Sequence, residues 1–127
     1  MMNIINVNKQ PIVETPHKVD VRQLYDKDNA QTMHITLKAG ESLKPHLTPV
    51  NVFFYVLEGA VDVRVGDETV SVEKDCLVES PKDIIHCLSN NSDSITRILV
   101  KSTKASNKIK VAVKETKNNK LYSVCFF

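Results

Sequence analysis

Two histidines carry most of the chemical potential of this 127-residue chain: His46, in the stretch LKPHLTPVNVFFYVLEG, and His86, in SPKDIIHCLSN. An imidazole offers a neutral nitrogen to a divalent metal, and because it titrates near neutrality it can also move a proton. Catalytic zinc, iron or manganese normally takes at least three protein donors. The side chains close in sequence to His46 contribute little to such a set. Thr48 carries a weak alcohol donor and Val52 carries none. A pair of neutral imidazoles working as acid and base is the other chemistry open to them, but no carboxylate at a fixed spacing orients either ring. There is no Ser/His/Asp order and no phosphate-binding glycine loop. Cys76, Cys87 and Cys125 are odd in number and share no CxxC spacing, so they read as reduced, buried thiols.

The elements that must position these residues are strands. Met33, Ile35 and Leu37 alternate with His34, Thr36 and Lys38, and Val61, Val63 and Val65 alternate with Asp62, Arg64 and Gly66. Val70 and Val72 continue after a turn at Gly66-Asp67, and Ile109, Val111 and Val113 alternate with Lys110 and Ala112. A period of two is the signature of half-buried strands. Turn signals separate them at Asp28-Asn29, Ala39-Gly40, Glu58-Gly59, Gly66-Asp67, Ser80-Pro81, Asn90-Asn91 and Asn118-Asn119. Short strands broken about every ten residues predict an all-β sandwich or barrel.

The two histidine stretches resemble the two motifs of the cupin superfamily. The first family motif runs Gly, five residues, His-x-His, three or four residues, Glu, six residues, Gly. Gly40, His46 and Gly59 match it, while Thr48 stands at the second histidine and Val52 at the glutamate. The second runs Gly, five residues, Pro-x-Gly, two residues, His, three residues, Asn. Pro81, His86 and Asn90 match it, with Asp83 where the family usually has glycine. The resemblance covers about residues 20 to 101 and implies a double-stranded β-helix, the cupin jelly-roll barrel, followed by an extra C-terminal β-hairpin. It implies a metal site as well, of which only His46 and His86 remain. The divalent ions such a pair could hold are zinc, iron, manganese and nickel. His34, Asn51 and Asn90 are the other side chains that could complete an unorthodox site, and His17, in the N-terminal arm, is expected in solvent. If Val52 occupies the inward glutamate position, then Phe54 and Val56 point inward too, and Phe53, Tyr55 and Leu57 point outward. The expected pocket is therefore Thr48, Val52, Phe54 and Val56 around the two histidines.

The chain divides into an N-terminal arm (1–17), a barrel (18–103) and a C-terminal hairpin (104–127), its strands at roughly Ile109–Glu115 and Leu121–Phe127. Seven lysines against Glu115 lie between residues 101 and 120, leaving residues 1–100 at net −4 within an overall +2. That tail has no arginine and no interleaved aromatics, so nucleic-acid binding is not expected. No apolar run reaches the roughly 20 residues of a membrane helix. The start, MMNIINVNKQ, lacks the apolar core of an export signal, so the expected location is the cytoplasm. The last strand, LYSVCFF, is apolar on both faces and needs cover, which favours a homodimer. Two functions follow. One is a small cupin that binds a small molecule in an apolar pocket, with metal binding lost or weakened and no classical metal-dependent turnover. The other is a metal-dependent oxygenase or isomerase that uses the two-histidine site. Whether the chain is an enzyme stays open at this point, as does the identity of its ligand.

Overall fold

The structure, a computed structural model, describes residues 1–103 and the strand backbones at 113–115 and 121–123. Among the described residues there are ten strands: β1 (Asp20–Lys27), β2 (Ala30–Leu37), β3 (Val52–Glu58), β4 (Ala60–Val65), β5 (Glu68–Glu73), β6 (Leu77–Ser80), β7 (His86–Ser89), β8 (Thr96–Thr103), β9 (Val113–Glu115) and β10 (Leu121–Ser123). A 3-10 turn at Val7–Lys9 is the only helix among the described residues. Five strands make one antiparallel sheet in the order β1-β2-β8-β3-β6, and three make a second in the order β5-β4-β7. Of the expected C-terminal hairpin, β9 and β10 pair as an antiparallel ladder, and its remaining residues lie outside the described ones.

The period of two converts directly into a core. Met33, Ile35 and Leu37 of β2, Phe54 and Val56 of β3 and Ile98 and Val100 of β8 are buried, and they join Val61, Val63 and Leu88 from the three-stranded sheet in one cluster. The two sheets thus close on each other as an all-β double-stranded β-helix. Burying each such side chain contributes about 1.5–3 kcal/mol, which makes this shared layer the main reason that the two sheets stay together.

The turns at Asp28-Asn29, Ala39-Gly40, Glu58-Gly59 and Gly66-Asp67 fall where the sequence signals them, and that expected at Asn118-Asn119 lies outside the described residues. Glu58-Gly59 joins β3 to β4, and Gly59 is there for two physical reasons. Its φ is +75°, and a Cβ would lie 2.6 Å from the carbonyl oxygen of Ile95. Asp83 adopts φ +63° and Asp75 φ +70°. These are the two glycine positions of the second motif, so the left-handed backbone is kept although the residue has changed. Aspartate is among the residues that tolerate this conformation best.

The N-terminal arm is not free. The Val13 N–H donates to the Val21 carbonyl at 2.7 Å, and Arg22 Nη1 donates to the Val7 carbonyl at 3.1 Å. His17 is only 6% exposed, a correction to its expected solvent position, because the arm carries it down against the barrel. Cys76 is exposed rather than buried, since it precedes an edge strand, and Cys87 is half-buried with its Sγ donating to the Leu43 carbonyl.

Candidate functional site

His46 and His86 meet because their backbones pair. The His46 N–H donates to the His86 carbonyl at 3.1 Å and the His86 N–H to the His46 carbonyl at 3.0 Å, an isolated antiparallel bridge. Residues paired in this way present their side chains to the same face. Both rings accordingly point into the core, at 0% and 1% exposure.

Their nitrogens form an ordered chain. His46 Nδ1 lies 2.8 Å from the Lys44 carbonyl, which can only accept, so Nδ1 carries the ring's proton and Nε2 its lone pair. His86 Nε2, 3.0 Å from His46 Nε2, must then be the donor of that bond. This leaves His86 Nδ1 as an acceptor for the Ser80 hydroxyl at 2.9 Å. Thr48 Oγ1, 3.2 Å from His86 Nε2, is a second acceptor for the same proton. The order Ser80 to His86 to His46 to Lys44 gives every ring nitrogen a partner. Unpaired, each such group would cost about 1–3 kcal/mol in this interior.

A third ring stacks on the pair. His17 lies 4.6 Å from His46 between centroids, and its Nδ1 accepts the Lys44 N–H at 2.9 Å. Phe54 packs edge-on against His86 at 5.2 Å. Burial holds all three imidazoles neutral. It lowers His17 to about 4, helped by the charges of His46 and Lys44, and lowers His46 to about 4 against the opposing pull of the Lys44 carbonyl. His86 falls to about 3, by burial first and then by His46 and His17.

The metal that the fold family implies would need lone pairs converging on one point. The two Nε2 atoms bond each other instead, His17 Nδ1 is directed at a backbone N–H, and Val52 brings hydrocarbon to the carboxylate position. Among the described residues no group of three or more His, Cys, Asp or Glu side chains could hold a metal ion. The residues present therefore do not fit a three-donor centre. The other candidates are engaged elsewhere. His34 accepts from Arg97 Nε at 3.1 Å on the outer face of the five-stranded sheet. Asn90 Nδ2 binds the Leu37 and Ser94 carbonyls, pinning the turn after β7. Asn51 Oδ1 accepts from the Lys82 N–H at 3.0 Å.

Of the expected pocket residues, Thr48, Val52, Phe54 and Val56 are all buried, and Thr48 and Phe54 lie directly against His86. Of the four, only Val52 lines a described cavity. That hollow, of about 320 Å³, lies where β3 begins and β6 and β8 end, walled by Asn51, Val52, Phe53, Ser80, Pro81 and Lys101 and completed by Glu79 and Thr103. Lys101 Nζ stands 5.9 Å from the Phe53 ring centroid. Ser80 links this hollow to the histidine pair, and sequence reasoning missed its role. Its signal was its place immediately before Pro81 in the second motif; the β3–β6 register sets it directly across from Val52. A second hollow, of about 440 Å³, lies beneath the N-terminal arm and reaches neither histidine.

Solved structures share this architecture. The TT1209 protein of Thermus thermophilus aligns with a TM-score of 0.70 at 24% identity, covering 80% of this chain and 97% of its own. The polyketide cyclase RemF of Streptomyces resistomycificus aligns at 0.72 and 22%, covering 81% and 80%. KdgF of a Halomonas species aligns at 0.70 and 12%, covering 84% and 97%. At these identities the likeness is one of fold. A search of the curated proteins finds no match. The cupin domain family model matches residues 33–101, which span both histidine motifs and more than half of the sequence, so the chain belongs to the cupin family.

Proposed function

We propose that this chain is a small-molecule-binding cupin that works without a metal ion and without metal-dependent turnover. The observation that carries the reading is the His86–His46 bond. The two surviving ligand positions satisfy each other at 3.0 Å, with Val52 where a carboxylate would complete the set. Two buried neutral imidazoles with pKa values of about 4 and 3 are also weak bases near neutrality, which argues against acid–base turnover.

The hollow beside Ser80 is the binding site this reading favours. Val52, Phe53 and Pro81 offer an apolar floor, Lys101, Asn51 and Thr103 offer hydrogen-bond donors, and Ser80, whose proton goes to His86, offers an acceptor. A few polar groups around an apolar surface suit a compact amphipathic ligand, an apolar body carrying an anionic or hydroxyl end. Glu79 at the rim would take an ammonium or hydroxyl group.

The test is the metal content of the full chain, purified without chelator, beside a His46→Ala/His86→Ala variant, together with titration of an anionic solvatochromic probe. Substoichiometric metal in both proteins, with probe binding weakened roughly tenfold by Lys101→Ala, supports the reading. Near one metal per wild-type chain, lost in the double variant, would overturn it in favour of a metal-dependent enzyme.

A further inference from the structure

The two sides of the 320 Å³ hollow offer opposite chemistry. Its residues come from three neighbouring strands, in the order β8-β3-β6. The register sets Phe53 of β3 between Lys101 of β8 and Glu79 of β6. Paired residues share a face, and Phe53 alternates with the buried Val52 and Phe54, so these three side chains stand together on the outer side of the sheet.

The β8 side is a wall of donors. Lys101 Nζ stands 5.9 Å from the Phe53 ring centroid. Thr103 follows on the same side of β8, and its N–H donates to the Asn51 carbonyl at 3.3 Å, which brings Asn51 alongside. Asn51 Oδ1 already accepts the Lys82 N–H at 3.0 Å, so what its amide has left to offer a ligand is the two hydrogens on Nδ2. The β6 side is a wall of acceptors: the Glu79 carboxylate, and Ser80 Oγ, whose proton goes to His86. The opposite charges do not neutralise each other. The ion pairs among the described residues are Arg22–Asp20 and Arg97–Glu58, and neither Lys101 nor Glu79 belongs to one. Two strand spacings, about 9–10 Å, separate their backbones, with Phe53 between them. An anion alone would bring its charge towards Glu79, and a cation alone towards Lys101. A ligand that carries both charges satisfies both walls. At roughly 30 Å³ per water, the hollow holds about ten waters, room for a ligand of about ten to fifteen non-hydrogen atoms.

We propose, resting on the reading of this hollow as the ligand site, that its ligand is a free amino acid with an apolar side chain. The carboxylate lies at the β8 wall, where Lys101, Asn51 Nδ2 and the Thr103 hydroxyl donate to it. The ammonium group lies at the β6 wall and donates to Glu79. The side chain covers Phe53 and Pro81, which have no polar side-chain atom to satisfy.

Amide-shift titration of the isotope-labelled full chain decides it, with L-phenylalanine, 3-phenylpropionate (no ammonium group) and 2-phenylethylamine (no carboxylate) as probes. The expected result is shifts around the hollow, with L-phenylalanine bound roughly tenfold more tightly than either analogue, because each analogue lacks one charge-assisted contact. In Glu79→Gln the preference over 3-phenylpropionate disappears, and in Lys101→Met the preference over 2-phenylethylamine disappears. Both side chains are exposed, so the variants should fold as the wild type does, and matching thermal melts check that. Equal affinity for L-phenylalanine and 3-phenylpropionate, or a preference that survives Glu79→Gln, overturns the inference and leaves the hollow a site for anions. So does the absence of shifts at the hollow with all three probes while the anionic solvatochromic probe still binds there. If that probe fails to bind as well, the ligand reading of the hollow falls with it.

Discussion

At the scale of single residues the site is a hydrogen-bond chain whose order follows from one carbonyl. Because the Lys44 carbonyl can only accept, His46, His86 and Ser80 have no choice of role. Ser80→Ala should cost about 1–2 kcal/mol by leaving His86 Nδ1 unpaired. His86→Ala should cost more, about 3 kcal/mol, because it orphans Ser80 and His46 together and opens a cavity beside Phe54. Urea unfolding of the two variants ranks them. The same burial predicts a pH dependence with a definite sign. His17, His46 and His86 are held at about 4, 4 and 3, below the ordinary 6.5, so the unfolded chain binds more protons than the folded one between those limits. Stability should be level above pH 6.5 with respect to these groups and should fall as pH drops from 6.5 towards 4. Each histidine contributes a slope of up to about 1.4 kcal/mol per pH unit. Denaturant midpoints measured through that window check it; a flat profile would mean that the rings take up protons as readily in the fold as in the unfolded chain. Val52→Glu tests the metal question at the same scale. It should destabilise the metal-free protein by burying a carboxylate and should gain thermal stability on addition of zinc, whereas the wild type should not.

At the scale of elements, the turns do the positioning, and the glycines are not equivalent. Gly59 combines φ +75° with a backbone approach of 2.6 Å, while a Cβ at Gly40, where φ is +83°, would meet nothing within 4 Å. Gly59→Ala should therefore cost upwards of about 3 kcal/mol, and Gly40→Ala only the left-handed backbone strain of about 1–2 kcal/mol. Thermal melts of the pair would separate collision from strain. The strands themselves were legible from their period of two, and β2 and β4 bury the faces that the alternation names, whereas Val70 of β5 stays 55% exposed. The arm was harder to read. Residues 1–19 have no alternation, and the burial of His17 depends on bonds to β1 and to Lys44, made far away in sequence.

At the scale of the whole molecule, the core between the two sheets is filled by the chain's own side chains, and the 320 Å³ hollow lies at its margin, where β3 begins and β6 and β8 end. Among the described residues no helix is long and apolar enough to cross a membrane.

The framework was readable from the chain alone. Alternating apolar residues and turn glycines specify an all-β barrel, because strand parity and turn geometry are local properties, and the motifs around His46 and His86 carry the resemblance to the cupin family. Parity puts Val52, Phe54 and Val56 on one face, and the resemblance made that face the inward one. The tertiary structure alone decided how the histidines are used. The bond between two Nε2 atoms, the serine behind His86 and the third ring of His17 all depend on distances between residues far apart in the chain. Local pattern carries no information about such distances. The outer face divides in the same way. Phe53, Tyr55 and Leu57 were legible as outward, but only the register of the five-stranded sheet, which is set by long-range pairing, aligned Tyr55 with Leu77, Leu99 and His34.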